Sequence, residues 1–380
     1  MVVFDPLNPE MLEDPYSVYA RLRSDDPVHW HDGLKAWVVT GYRDCLGVLQ
    51  NPEAFSCDFR KIGDAVPQEF LSIQTVDPPL HEAIRKPIIA ALRKMDIAAW
   101  LDGAATAADA LMHEVDHDGF DFIEFLEQIS ARTMCTFLGI PGPADEGTVR
   151  AAQRDLILSM DAGLDPERAP AGVRARGFLS DIIEPWLDQP KPGGFIDHVE
   201  FDKSADMRHY LVNSLRNFFV AGYSSTSSTL GSVTATLLRH GTLAAVEPAT
   251  IDAVAMNELV RHSGAVQAVS RAVVRDVRLP SGHQVDAGDV VIAVVASANR
   301  DGTAFRDADE LRLDRSPNPH LGFGRGVHAC TGTHLAVALG SQVLTRLSRK
   351  FVLKQAGSAV RRPTGTLRGF DRLPVRLIRR

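Results

Sequence analysis

Apolar residues recur at three- and four-residue intervals along most of the chain, a spacing that predicts helices. Pro15 to Asp25 places Val18, Tyr19 and Leu22 on one face before Pro27 stops it. Tyr42 to Leu49 repeats the pattern up to Asn51-Pro52. Longer helical runs follow over Ala99 to Val115 and Glu124 to Leu138, the second closed by Gly139-Ile140-Pro141-Gly142. Thr148 to Met160 and Ala171 to Leu187 continue the series, separated by an Asp-, Gly- and Pro-bearing stretch, Asp161 to Pro170, that reads as a flexible tip. Asp206 to His240 reads as one long helix, with Ser204 as its cap and Gly241 as its stop. A last helix runs from Thr331 to Lys350. Strand-like patterns are few. Val28 to Trp30 and Ala36 to Thr40 flank an Asp32-Gly33 turn, and Arg278 to Val295 reads as a hairpin with turns at Ser281-Gly282 and Ala287-Gly288. Phe55 to Thr75 has no clear period and reads as a long loop. The pattern as a whole predicts a mainly helical protein with small sheets.

Composition narrows the class. The 380 residues are 45% hydrophobic and 23% charged, as in ordinary globular proteins. A formal net charge of −7 argues against nucleic acid as a partner. Four cysteines without pairing spacing point to a reducing compartment. The N-terminus carries neither a basic n-region nor an apolar h-region, and no run of about 18 apolar residues occurs, so the expectation is a cytoplasmic protein without a membrane anchor.

The chemistry concentrates in Phe323 to Gly332, FGRGVHACTG. Cys330 ends a loop in which Gly324 and Gly326 permit tight turns and close approach to a flat ligand, and a helix begins directly after it. Unpaired N–H groups and the helix dipole favour a thiolate there. Cys45, Cys57 and Cys135 have no such context and read as buried structural thiols. Asp77-Pro78-Pro79-Leu80-His81-Glu82-Ala83-Ile84-Arg85 predicts a helix capped by Asp77 that carries His81 and Arg85 at i and i+4, either a solvated face or a pair that holds carboxylates. Ala221-Gly222-Tyr223-Ser224-Ser225-Thr226 lies in the middle of the long helix, where small residues serve close packing or make room for a flat cofactor. Glu258 and Arg261 stand at i and i+3.

Phe-Gly-x-Gly-x-His-x-Cys-x-Gly resembles the haem-ligand loop of the cytochrome P450 family, the haem-thiolate monooxygenases. The resemblance extends along the chain to the DPPxHxxxR segment, the Ala-Gly-x-(Asp/Glu)-Thr-Thr motif, ExxR at Glu258 and Arg261, and an arginine at Arg271. It implies one domain over residues 1–380, folded as a triangular helical prism with small β-sheets. Haem b would lie between the central helix and the helix after Cys330, the axial ligand of its iron. His81, Arg85, Arg271 and His328 would meet its propionates. Ala221, Gly222, Phe323, Gly324 and Gly332 would line it, and Glu258, Arg261 and Arg315 would form a buried structural cluster. Ser224, Ser225 and Thr226 would sit where the family delivers protons. The Phe55 to Thr75 loop would roof the substrate pocket, making Phe59, Phe70, Leu71 and Ile73 candidate contacts together with Asn217, Val266, Gln267, Val269 and Leu367.

The implied activity is oxidation of a small, natural-product-like molecule with dioxygen, by hydroxylation or epoxidation. Electrons would come from NAD(P)H through a separate ferredoxin and ferredoxin reductase, because the chain has no Rossmann or flavin fingerprint. Arg325, Arg346, Arg349 and Lys350 are either a docking face for an acidic ferredoxin or a solvated face. The sequence departs from the family at the acid position, Ser224, and at the alcohol position, Ser225. Serine keeps a donor and an acceptor but no charge. That departure brings in oxidative coupling of an aromatic or cyclic-dipeptide-like substrate as an alternative. A peroxide-driven peroxygenase and a non-catalytic haem sensor or gas carrier are further ones.

Overall fold

The computed structural model describes residues 3–142, 145–201, 204–241 and 251–380. Helices dominate, and their apolar faces build one large core from Leu71 and Ile73 through Phe122, Leu215 and Val343 to Leu377. Ile97–Glu114 packs against Phe122–Leu138, which in turn packs on the central helix. Gly139, at φ +75°, stops Phe122–Leu138 as its sequence predicts.

The central helix is not continuous. Ala205–Val220 and Thr226–Arg239 are α-helical, but Ala221–Ser225 forms a π-turn between them. Such bulges insert one extra residue and re-aim the side chains around them. Gly241 follows the last turn at φ +67°. The helix after the cysteine loop starts at Thr333, two residues later than the apolar pattern suggests, and runs to Lys350.

Strands Val28–His31, Ala36–Val39, Val290–Ala293, Val269–Val273 and Phe55–Ser56 lie side by side in that order as one sheet. Ala36–Val39 pairs in parallel with Val290–Ala293, and the other neighbours are antiparallel. The stretch from Arg278 to Val295 is therefore not one hairpin. Val277–Arg278 and Gln284–Val285 form a ribbon around Gly282, whereas Val290–Ala293 leaves it for the larger sheet. The alternation was the same in both pieces, so local pattern alone could not assign the partners.

The loop from Phe55 to Thr75 holds two short 3₁₀ turns, Phe59–Ile62 and Gln68–Phe70. The stretch Asp161 to Pro170 is tied down rather than loose. Buried Asp161 accepts from the N–H groups of Gly365 and Thr366 at 2.9 Å each, and Arg168 donates to the Pro363 carbonyl at 2.8 Å.

Candidate active site

Around Cys330 the loop closes on itself. The Cys330 N–H donates to the Phe323 carbonyl at 2.8 Å, and Gly324 donates to Leu321 at 2.9 Å. Gly324 and Gly326 both take positive φ, +66° and +75°. At Gly326 the requirement is double, since a Cβ there would stand 2.5 Å from the Leu49 carbonyl oxygen. Cys330 is exposed, whereas Cys45, Cys57 and Cys135 are buried as expected. Surrounding protein nevertheless pushes the Cys330 thiol pKa up; the Gly332 N–H, the Thr333 hydroxyl and the Arg85 charge oppose that shift without cancelling it. The helix start alone thus does not make a thiolate of Cys330. A bound cation would be needed to hold the sulfur anionic. Phe323 packs partly buried against the core and tilts toward His320.

A cluster of donors lies beside the loop. Arg85 donates to the Thr331 hydroxyl at 2.7 Å. His81 is 2% exposed, and neither of its ring nitrogens has a partner. Burial, then the neighbouring His328 and Arg85, lower its pKa to about 4, partly opposed by Asp77. The His81 and His328 rings meet edge-on at 4.5 Å. Buried, unpaired polar groups next to a guanidinium suit an anionic ligand edge. By that observation the residues present fit the carboxylate side of a haem.

Asp77 does not cap the helix. Pro78 and Pro79 intervene, the helix runs Leu80–Lys94, and its start carries no side-chain cap. The Asp77 carboxylate instead accepts from Lys61 at 2.8 Å, from the Cys57 N–H at 3.2 Å, from Ser56 and from His328 at 3.2 Å. Burial would raise its pKa, but those donors hold it well below the carboxylate range. His328 therefore faces an acid already in the protein. Arg271 lies on the same side, where its charge acts on Cys57, and it donates to the Ser270 carbonyl at 2.7 Å.

The π-turn sorts its residues onto two sides. Ala221 is exposed and Ser225 half-buried in mid-helix, with the Ser225 hydroxyl donating to the Ala221 carbonyl at 2.5 Å. Ser224 turns inward, 1% exposed, and donates to Gln153 Oε1 at 2.7 Å. Thr226 is buried. Gly222 makes room for a side chain of the neighbouring helix and not for a cofactor, since a Cβ there would lie 2.1 Å from the Met134 sulfur. Gln153 escaped the sequence reading; the only signal was one amide among the apolar positions of helix Glu146–Ser159.

Beneath the loop, Glu258 is fully buried and accepts from Arg261 Nε (2.7 Å) and Nη2 (2.8 Å), from Arg315 Nε (3.0 Å) and from the Arg312 N–H (2.9 Å). Burial would raise its pKa; these donors lower it below the usual value. The expected third partner, Arg315, is in place.

Several candidate substrate contacts have other partners. Gln267 is buried and donates to the Gly264 and Ala265 carbonyls. Leu367 bridges Val266 and is buried with Ile157 and Ala265. Leu71 and Ile73 belong to the main core. Asn217 donates to Ser72 Oγ at 2.7 Å. Phe59 and Val269 are half-buried, and Phe70 lies under the Arg176 guanidinium, 4.1 Å from its carbon. Of the basic face, Arg346 and Lys350 share Asp109 at 2.6 and 2.9 Å, while Arg325 lies in the cysteine loop before the start of their helix.

The comparisons with known proteins agree with this layout. A family model, Cytochrome P450, matches residues 251–376. A cytochrome P450 of Rhodopseudomonas palustris is 28% identical over 98% of this chain and 93% of its own length. A vitamin D3 dihydroxylase of Streptomyces griseolus is 29% identical over 97% and 96%. The solved structure of the bacillaene polyketide synthase cytochrome P450 of Bacillus subtilis superposes with a TM-score of 0.86 at 26% identity, covering 99% of this chain and 100% of that one. Among the described residues no helix is long and apolar enough to cross a membrane. Motifs, fold and full-length relatives converge on the cytochrome P450 family of haem-thiolate monooxygenases.

Proposed function

We propose that this single-domain oxidoreductase holds haem b and uses dioxygen to hydroxylate or epoxidise a small natural product. The observation that carries the reading is the exposed Cys330 beside the unpaired, buried His81 and the Arg85 guanidinium. Named relatives support the substrate class: a mycinamicin IV hydroxylase/epoxidase of Micromonospora griseorubida and a pentalenic acid synthase of Streptomyces avermitilis are 29% and 27% identical over most of this chain.

Bound haem would supply the oxidising power, with Cys330 as its thiolate ligand. The chain's own residues do the rest. The Gly332 N–H stabilises the anionic sulfur, and the Thr333 hydroxyl beside it donates to the Cys330 carbonyl at 2.9 Å. His81 and Arg85 take the propionates, with Arg271 and His328 at the same edge. Ser225, on the open side of the π-turn, positions a water or substrate hydroxyl and passes a proton. A separate ferredoxin and its reductase, fed by NAD(P)H, deliver electrons.

One observation supports oxidative coupling as a second reading: Ser224, at the position of the family's acid, is engaged with Gln153. The test is spectroscopic first. Reduced, haem-loaded protein with carbon monoxide is expected to give the thiolate–carbonyl band, and Cys330→Ala is expected to lose it; a variant that keeps the band refutes the ligand assignment. Product mass then separates the reactions, since oxygen insertion adds one oxygen atom whereas coupling removes hydrogen.

A further inference from the structure

A second group of buried cations stands in the roof, away from the cysteine loop. Helix Ala169–Ile183 brings Arg176, the central helix brings Arg216, and the turn Gln68–Phe70 brings Glu69 and Phe70. Arg216 is 1% exposed. Its Nη1 donates to Ser180 Oγ and Asn213 Oδ1, both at 2.9 Å, and its Nη2 to the Glu69 carbonyl at 2.7 Å. Arg176 stacks on Phe70. The Nε–H groups of both arginines are buried and have no acceptor.

We infer that the Arg176–Arg216 pair receives the carboxylate of an anionic substrate. The inference rests on the oxidative reading above and names the substrate class for that same site.

The argument is one of charge. Among the described residues, neither guanidinium is ion-paired with a carboxylate. Glu69 meets Arg216 through its main-chain carbonyl, and its carboxylate acts on both arginines only through space. The partners in contact, Ser180 and Asn213, are neutral. Burial and then the Arg176 charge push the Arg216 pKa down to about 10, so the two cations oppose one another. Buried cations without an anion cost several kcal/mol each in order of magnitude, which an anionic ligand would recover. Each guanidinium has an unpaired Nε–H and no carboxylate in contact. That suits an anion, and the planar fork matches a carboxylate.

Position adds a length. Arg216 precedes Ser225 by nine residues on the same helix, roughly 13 Å along its axis. A substrate anchored here by its acid would have to span on the order of that length to reach Ser225.

The test titrates haem-loaded protein with two matched pairs: dodecanoate and dodecanamide, and biphenyl-4-carboxylate and biphenyl-4-carboxamide. Binding is read both as the haem spin-state shift and by calorimetry. At least one acid is expected to bind about tenfold more tightly than its amide, equivalent to about 1.4 kcal/mol. Arg176→Gln and Arg216→Gln are each expected to erase most of that preference while weakening the amide far less. Arg176→Gln and the wild-type comparison decide the matter even without Arg216→Gln, whose guanidinium holds three neighbours. Amides binding as tightly as acids, a preference intact in Arg176→Gln, or no binding by any of the four overturns the inference. The carbon monoxide band separates the two readings. If it is present and the acids have no advantage, only the anion site falls. If it is absent, the oxidative reading falls, whatever the acids do.

Discussion

The chain buries arginines in two places and treats them oppositely. Beneath the cysteine loop, Arg261 and Arg315 converge on Glu258, and their remaining donors reach the carbonyls of Asn299, Ala308, Glu310, Arg306 and Asp307. In the roof, Arg176 and Arg216 have no carboxylate in contact and leave an N–H unpaired on each. The first cluster has a carboxylate in contact with both guanidiniums and leaves no buried guanidinium N–H unpaired. The second has neither. A buried charge that the protein already satisfies points to architecture, and one that it leaves short points to a ligand.

Breaking the closed cluster should have the largest effect. Glu258→Gln leaves two buried guanidiniums without a counter-charge, and a loss of about 3–5 kcal/mol of stability is expected. Chemical denaturation with haem retention as a second readout checks it; a loss under 1 kcal/mol would mean that the carbonyls alone hold the arginines. The same cluster sets a pH dependence. The Glu258 carboxyl titrates lower in the folded protein than its ordinary value of 4.5. Its contribution is fully present above that value and is lost as pH falls through the lowered folded pKa, because the unfolded chain then binds the extra proton. Wild-type stability should therefore fall more steeply below about pH 4.5 than that of Glu258→Gln. Parallel curves would contradict the assignment.

The roof should respond far less. Arg216→Met keeps much of the volume and removes a charge that has no counter-ion. The unliganded protein should then change stability by about 1 kcal/mol or less in either direction, since lost hydrogen bonds offset the relief of an unpaired cation. A loss as large as that of Glu258→Gln would erase the distinction between the two clusters and place both in the architecture.

The contrast also explains what the sequence could and could not show. Glu258 and Arg261 are legible because they are three residues apart on one helix, and Arg315 followed from the family resemblance. Cys330, Gly324 and Gly326 are legible because turn, ligand and helix start are contiguous. Arg176 and Arg216 lie on two helices 40 residues apart, and Glu69 comes from a loop without a period; nothing local ties them together. Asp77 failed for the same reason. Its cap reading was locally sound, but its partners Ser56, Lys61 and His328 are set by the way the loop folds back. Gly222 was misjudged because a small residue in a helix marks close approach without saying of what, and here the answer is Met134.

The smallest effect is expected where no charge is involved. Ser224 and Gln153 form a buried neutral pair, 71 residues apart in sequence, and the Gln153 amide nitrogen has no partner. Gln153→Ala strands the Ser224 hydroxyl, and Ser224→Ala strands the Gln153 carbonyl, so each alone should cost about 1–2 kcal/mol. The double variant should cost less than the sum, with a coupling energy of about 0.5–1.5 kcal/mol in a double-mutant cycle. Strict additivity would mean that the two side chains do not interact in solution. Ser224 would then be free to turn toward Ser225, and the proton route expected of an ordinary hydroxylase would be open again. Coupling, together with unchanged product ratios in Ser224→Ala, would instead place Ser224 in the packing of the π-turn and leave Ser225 as the hydroxyl that matters.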